Sequence, residues 1–266
     1  MRLYQGRRGD SDSFKDLSAY RLMLPHLGKV PLDLLDTLVL ERYVEVRHEH
    51  SKPSTIERDL TRVRAILRFA AKKGLVSAAR VADNLASVSD LVGEYDDQRM
   101  RWLEQGQRDE LINWFKFDAE LHLILHILML SGLRLGECLR LAPADFTGAG
   151  IQTWSIKGRG RKRRHRTVPL HPRIRQLLSH YPLRSSERMF CMSETTLRRY
   201  FTEACERLGI NDFRIHDCRH TYAVHLRLAG ADIDEIAKLL GHTNIETASR
   251  YANIVPARVS ALTGRL

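Results

Sequence analysis

Apolar residues recur at spacings of three and four along most of this chain, the period of helices that turn one face to a core. From Thr55 onward Ile56, Leu60, Val63, Leu67 and Ala70 keep that period, while Arg58, Arg62, Arg64, Arg68 and Lys72 fall on the other faces. The pattern predicts an amphipathic helix with a basic exterior, capped by Ser54 or Thr55 after Pro53 and ended by Gly74. Two earlier helical segments, at about 13–24 and 32–49, would pack against it as a small all-α domain. Between about Ser87 and Arg101 the apolar period fades and Asp90, Glu94, Asp96 and Asp97 gather, as expected of a linker.

Helical patterning resumes at 107–115 and 120–130, where Ser131-Gly132 stops the second segment, and a short helix begins near Arg134. The clear β signal lies in 151–170: Trp154 and Ile156 approach a Gly158-Arg159-Gly160 turn, and Thr167, Val168 and Leu170 leave it, so a hairpin is expected. Further helices are expected at about 173–180, 194–208, 217–229, 232–240 and 246–252. The expected fold is mainly α with a small β-sheet. A basic tail (1–12) leads into an all-α domain (13–86), and a linker (87–101) leads into a mixed α+β domain (102–266) whose tail covers 252–266.

Charge narrows the partner. Lys and Arg number 43 against 32 Asp and Glu, a formal net charge of +11, which favours a polyanion: nucleic acid first, an anionic membrane second. Cys138, Cys191, Cys205 and Cys218 form no C-x-x-C pair, which argues against a zinc knuckle or a disulfide framework and fits reduced thiols in the cytoplasm. The first ten residues lack an apolar core for export, and no apolar run reaches spanning length, so neither secretion nor membrane insertion is expected.

Four separated stretches carry candidate chemistry. In Ser131-Gly-Leu-Arg134-Leu-Gly-Glu137 an arginine stands at a helix junction with a carboxylate three residues on; its planar fork matches two phosphate oxygens, although an ordinary ion pair would look the same. In the hairpin, Lys157, Arg159, Arg161, Lys162, Arg163, Arg164 and Arg166 repel one another unless an anion lies near, which points to phosphate contact. Lys157 ends the apolar-flanked strand, where its ammonium could give a proton to a leaving oxygen. In His216-Asp-Cys-Arg219-His220, His216 and Arg219 fall on one helix face and could meet one anion; a metal reading through His216, Cys218 and His220 lacks a second ligand pair. In 231–251, Gly230 and Gly241 bracket an amphipathic helix with His242 just beyond it and Tyr251 further on; alone, this stretch resembles a helix-turn-helix, where a tyrosine is more often half-buried in the core than a nucleophile.

Taken in order, the four stretches resemble the tyrosine recombinase, or phage integrase, family: an Arg in a G-L-R-x-x-E context, a hairpin Lys, H-x-x-R, then G-H followed by a Tyr. The resemblance spans the second domain, and the Thr55–Gly74 region looks like the family's core-binding domain. It implies catalytic roles for Arg134, Lys157, His216, Arg219, His242 and Tyr251, with Glu137 supporting. It also implies a 3′-phosphotyrosyl intermediate and a reaction that needs neither metal nor other cofactor nor ATP. The implied partners are double-stranded DNA with specific sites, a homotetramer on paired sites with a Holliday-junction intermediate, and accessory DNA-bending proteins. Arg58, Arg62, Arg68, Lys72, Arg159, Arg161, Lys162, Arg163 and Arg164 would contact DNA, in the cytoplasm at the nucleoid. The family's extra arm-binding domain is expected to be absent, and the tail after Tyr251 could dock on its own or on a neighbouring protomer. The rival readings are a type IB topoisomerase that relaxes supercoils and a non-enzymatic helix-turn-helix regulator; the latter leaves Arg134, Lys157 and the His216/Arg219 pair unexplained.

Overall fold

A computed structural model describes residues 10–77, 79, 90–93, 95, 99–157, 162–183, 187–242 and 246–254. The chain divides into two compact units, 1–98 and 99–266. Much of the linker region, the hairpin positions Arg159 and Arg161, and the tail from 255 lie outside the described residues.

The first unit is built from α1 (Asp10–Leu27), a 3-10 turn (Leu32–Leu34), α2 (Thr37–His48) and α3 (Pro53–Lys72). The apolar stripe of α3 is the one the spacing predicts: Ile56, Leu60, Val63 and Leu67 are buried against Tyr20, Met23, Leu40, Tyr43 and Val44. Each such side chain taken out of water contributes roughly 1.5–3 kcal/mol. The helix starts earlier than a Ser54 or Thr55 cap would place it. Pro53 takes the first helical position, where its missing N–H costs nothing and its fixed φ suits the turn. The segment expected as one helix over 32–49 is interrupted because Asp36 is extended and its carboxylate accepts the Val39 N–H at 2.9 Å, which restarts the chain as a new helix. Asp59, on the buried side of α3, accepts hydrogen bonds from Tyr43 (2.8 Å), Arg47 (3.2 Å) and Arg62 (3.2 Å).

The second unit is laid around α5 (Ala119–Ser131), which follows α4 (Gln105–Trp114). Leu121, Leu123, Ile124, Leu125, Ile127, Leu128 and Met129 are all buried, so this helix is apolar nearly all round, as a core helix must be. After it come α6 (Leu135–Cys138) and a sheet of three antiparallel strands in chain order, β1 (Phe146–Thr147), β2 (Gly150–Lys157) and β3 (Lys162–Val168). The predicted hairpin is β2–β3, in register from Ile151 opposite Val168 to Lys157 opposite Lys162. Strand β1, only two residues long, carries no periodicity that sequence could reveal.

Four longer helices, α7 (Pro172–His180), α8 (Glu194–Arg207), α9 (Asp217–Leu228) and α10 (Ile233–Leu240), and the short α11 (Glu246–Ser249) complete the unit. Helix α9 is tied to the start of the unit at two heights. Asp217 takes two hydrogen bonds from Arg99 Nη1 (2.8 and 3.0 Å), and Thr221 Oγ1 accepts the Leu103 N–H at 3.1 Å. No described helix is long and apolar enough to cross a membrane.

Candidate active site

Gly132 ends α5 in the left-handed region (φ 63°), and the conformation is reinforced by crowding: a Cβ there would stand 2.4 Å from a ring carbon of Tyr222. The reversal delivers Arg134, in extended conformation, to the N-terminus of α6. Glu137 reaches back from the first turn of α6, accepting the Arg134 backbone N–H at Oε2 and its Nη1 at Oε1, both at 2.9 Å. The same carboxylate receives Arg166 of β3, Nη1 to Oε1 at 3.0 Å and Nη2 to Oε2 at 2.8 Å, while Arg166 Nε donates to the Leu239 carbonyl at 3.2 Å. Burial alone would raise the pKa of Glu137; the hydrogen bonds and charges of Arg166 and Arg134 outweigh it and hold the carboxyl at about 2. Gly241, left-handed at the end of α10, gives this arginine room: a Cβ there would approach its side chain to 3.0 Å.

Arg219 enters from the first turn of α9. It is buried, with Nη1 on the Gly132 carbonyl (2.8 Å) and Nη2 on the Leu240 carbonyl (2.6 Å). These oxygens close α5 and α10, so two helix C-termini direct their negative ends at one guanidinium. Burial first, then the charges of Arg134 and Arg166, lower its pKa to about 9. Arg134 and Arg166 thus share one carboxylate, and Arg219 is close enough for the charges of all three to act on it, an excess of positive charge that a phosphodiester would neutralise.

Tyr251 follows α11 and is buried among Ala223, Val224, Ile236, Ala237, Leu240 and Ala248. Its hydroxyl is hydrogen-bonded to His220 Nδ1 at 2.7 Å. Burial raises the phenol pKa, and the charges of Arg250 and Arg219 pull it down in part. His216, the candidate base, sits exposed just before α9 with its ring centroid 5.5 Å from that of His220. Desolvation of the part of its ring against the protein, then Arg219, lowers its pKa. His242 is half-buried immediately after Gly241, its backbone N–H donating to the Ala237 carbonyl at 2.9 Å.

The fold therefore brings Arg134, Glu137, Arg219 and Tyr251 around α9, with His216 and His242 at its border. Lys157 closes β2 opposite Lys162; the side chains of both lie outside the described residues. Arg163 and Arg164 are exposed on β3, and Arg163 shares the ring of Trp154 with Arg140, each guanidinium carbon 4.4 Å from the ring centroid. Of the α3 cations, Arg58, Arg68 and Lys72 are exposed, whereas Arg62 leans on Asp59. Cys218 is buried and its thiol pKa is pushed well up by that burial, and among the described residues no cluster of three or more His, Cys, Asp or Glu side chains could hold a metal ion.

Spacing alone gives no separate role to Arg166, His220, Arg140 and Trp154. Arg166 stands among the hairpin cations, and strand alternation puts it, with Arg164, on the side of buried Val168. Its place next to Val168, farther from the turn than exposed Arg164, is the available signal. The contact between His220 and Tyr251 has no such signal, since it spans 31 positions and depends on how α9 and α11 pack.

Residues 101–258 match the phage integrase family. A tyrosine recombinase XerC of Agrobacterium fabrum is 28% identical over 231 residues, covering 80% of this chain and 71% of the relative. A tyrosine recombinase of Thermosipho africanus is 29% identical over 163 residues, covering 58% and 57%. In fold the chain is similar to the Tn1549 transposon integrase solved with a circular intermediate DNA (TM-score 0.75, 16% identity, 98% of this chain and 95% of that one). It is similar also to a lambda integrase dimer bound to a core site (TM-score 0.71, 16% identity, 93% and 90%).

Proposed function

The chain belongs to the phage integrase family and is a site-specific tyrosine recombinase that breaks and rejoins DNA, and from that premise we propose that Tyr251 is its nucleophile, served by Arg134, Arg219, His216, His242 and Lys157. The observation that carries this assignment is the convergence of Arg134 and Arg219 on one electropositive site, with Tyr251 hydrogen-bonded to the residue next to Arg219.

A phosphodiester resists attack because its charge repels nucleophiles and its alkoxide leaves poorly. Arg134, Arg219 and His242 bind the non-bridging oxygens and stabilise the charge that grows on them in the pentacoordinate transition state. Glu137 and Arg166 do not touch the phosphate; they fix Arg134 so that its donors are in place before the reaction. Tyr251 Oη bonds to phosphorus, its proton passes to His216, and the bond from phosphorus to the 5′ oxygen breaks as Lys157 protonates that oxygen. The product is a 3′-phosphotyrosyl ester and a free 5′ hydroxyl. Ester energy is conserved, so the 5′ hydroxyl of another strand reverses the step without ATP. Arginines and histidines supply the charge that metals supply elsewhere, and no step is routed through a metal.

Four protomers on two sites would exchange strands through a Holliday junction, in the cytoplasm at the nucleoid. Glu137, Arg134 and Arg219 would serve a topoisomerase as well as a recombinase, so the assay must separate the two. A binding site is first selected from a random-sequence duplex library; plasmids carrying one or two copies are then treated with protein. Exchange that requires two copies is expected. Relaxation of supercoils irrespective of copy number would favour the topoisomerase reading.

A further inference from the structure

Tyr251 is 1% exposed, and its hydroxyl is engaged by His220, so in this arrangement Oη cannot reach a phosphate of a duplex. The phenol ring lies in an apolar pocket formed by α9, α10 and α11, where a hydroxyl without a partner would be costly. His220 supplies that partner from the same turn of helix as Arg219, so the contact joins the nucleophile to the element that holds the electropositive site. Tyr251 itself is carried just beyond a helix of only four residues, a slender support compared with the twelve-residue α9.

We propose that His220 is a positioning residue for the nucleophile: the hydrogen bond to its Nδ1 holds Tyr251 in a buried resting position, and strand cleavage begins by breaking it. The inference rests on Tyr251 being the nucleophile. A partner that holds the phenol through its own O–H, leaving the oxygen protonated, is a neutral acceptor. His220 is one, because burial first, then His216 and Arg250, keep its pKa down at about 4, against the weaker opposing pull of Asp217. The proton on this ring then sits at Nε2, and Nδ1 accepts from the phenol. So weak a base beside a phenol of raised pKa holds the proton in place on oxygen rather than removing it. Proton removal is left to a group that meets Tyr251 after release, and the exposed His216, one helical turn away, is suited to that. DNA entering the site would draw Tyr251 out with the phosphate as its new partner, so an unoccupied protomer keeps its nucleophile stored.

The test is single-turnover cleavage of a nicked duplex bearing the selected site. His220→Phe keeps aromatic bulk and removes the acceptor, so covalent adduct should form about 3- to 30-fold faster than with the unaltered protein, the scale of one buried hydrogen bond lost from the resting state. His220→Asn, whose amide oxygen can stand near the position of Nδ1, should cleave at close to the unaltered rate. Equal or slower cleavage by a His220→Phe protein that binds DNA normally overturns the proposal; a damaged fold cannot mimic a gain. Should that variant fail to fold, nitrogen-15 spectra of histidine-labelled unaltered protein decide. Nδ1 of His220 should be unprotonated and hydrogen-bonded without DNA, and should lose that bond on binding the nicked duplex. A protonated Nδ1, or a bond that survives DNA binding, overturns it. An adduct formed by Tyr251→Phe would instead sink the assignment of the nucleophile, so the two failures are distinguishable.

Discussion

Arg166 and Glu137 meet through two parallel hydrogen bonds, at 3.0 and 2.8 Å, although 29 residues separate them in the chain. The pair joins β3 to α6, and because Glu137 also holds the main chain and guanidinium of Arg134, the hairpin and the candidate phosphate-binding arginine are braced by a single carboxylate. Removing that charge leaves clustered guanidinium groups without their buried counterion, the situation that makes breaking a buried ion pair so destabilising.

Glu137→Gln should therefore lower unfolding free energy by about 3 kcal/mol, read from urea denaturation of the full chain. The pH dependence has a definite sign. The carboxyl sits at about 2 in the folded protein against an ordinary 4.5, so its contribution is complete above the ordinary value and disappears as pH falls through the interval toward 2. The variant should lose that part of the acid sensitivity. A variant as stable as the unaltered protein at neutral pH would mean that the arginines find other partners.

Arg140 and Arg163 share the ring of Trp154, next to a pocket that Arg134 and Glu137 also line. Two cations on one aromatic ring repel each other, and a backbone phosphate between or beside them relieves the repulsion. Replacing both with Ala should flatten the log–log salt dependence of DNA binding by up to about 1.8, if each neutralises one phosphate. Trp154 fluorescence should change on DNA binding in the unaltered protein. An unchanged slope would place this face of the hairpin in solvent.

Lys157 is tested through the leaving group. Lys157→Ala should cleave ordinary DNA more slowly by roughly two to four powers of ten, the usual contribution of a positioned acid. Sulfur in place of the bridging 5′ oxygen leaves without a proton, so most of the loss should be restored on that substrate. Equal defects on both substrates would remove Lys157 from the role of acid.

The chain's helices were legible because their burial is written at a fixed period: Ile56, Leu60, Val63 and Leu67 are as buried as their spacing requires. The break at Asp36 was legible only in principle, since an Asp within an apolar-periodic run is a cap or a surface residue according to the φ and ψ it adopts. In the site, Arg134 with Glu137 and His216 with Arg219 are local pairs, three apart, so spacing could place them together. The partners of Arg219 were invisible because they are main-chain carbonyls of Gly132 and Leu240, groups that every residue possesses. His220 carries the same limit: adjacency to Arg219 marked it, but only the packing of α11 on α9 reveals that it faces Tyr251.

Whether Tyr251 makes the covalent bond to DNA is read by mass spectrometry of the protease-digested adduct that forms on a nicked duplex, beside a denaturing gel of the Tyr251→Phe protein on the same substrate. A nucleotide joined to the peptide containing Tyr251 is expected, and for the Phe variant normal DNA binding with no adduct. An adduct that persisted in Tyr251→Phe, or a nucleotide mapped to another residue such as Tyr222, would contradict that expectation.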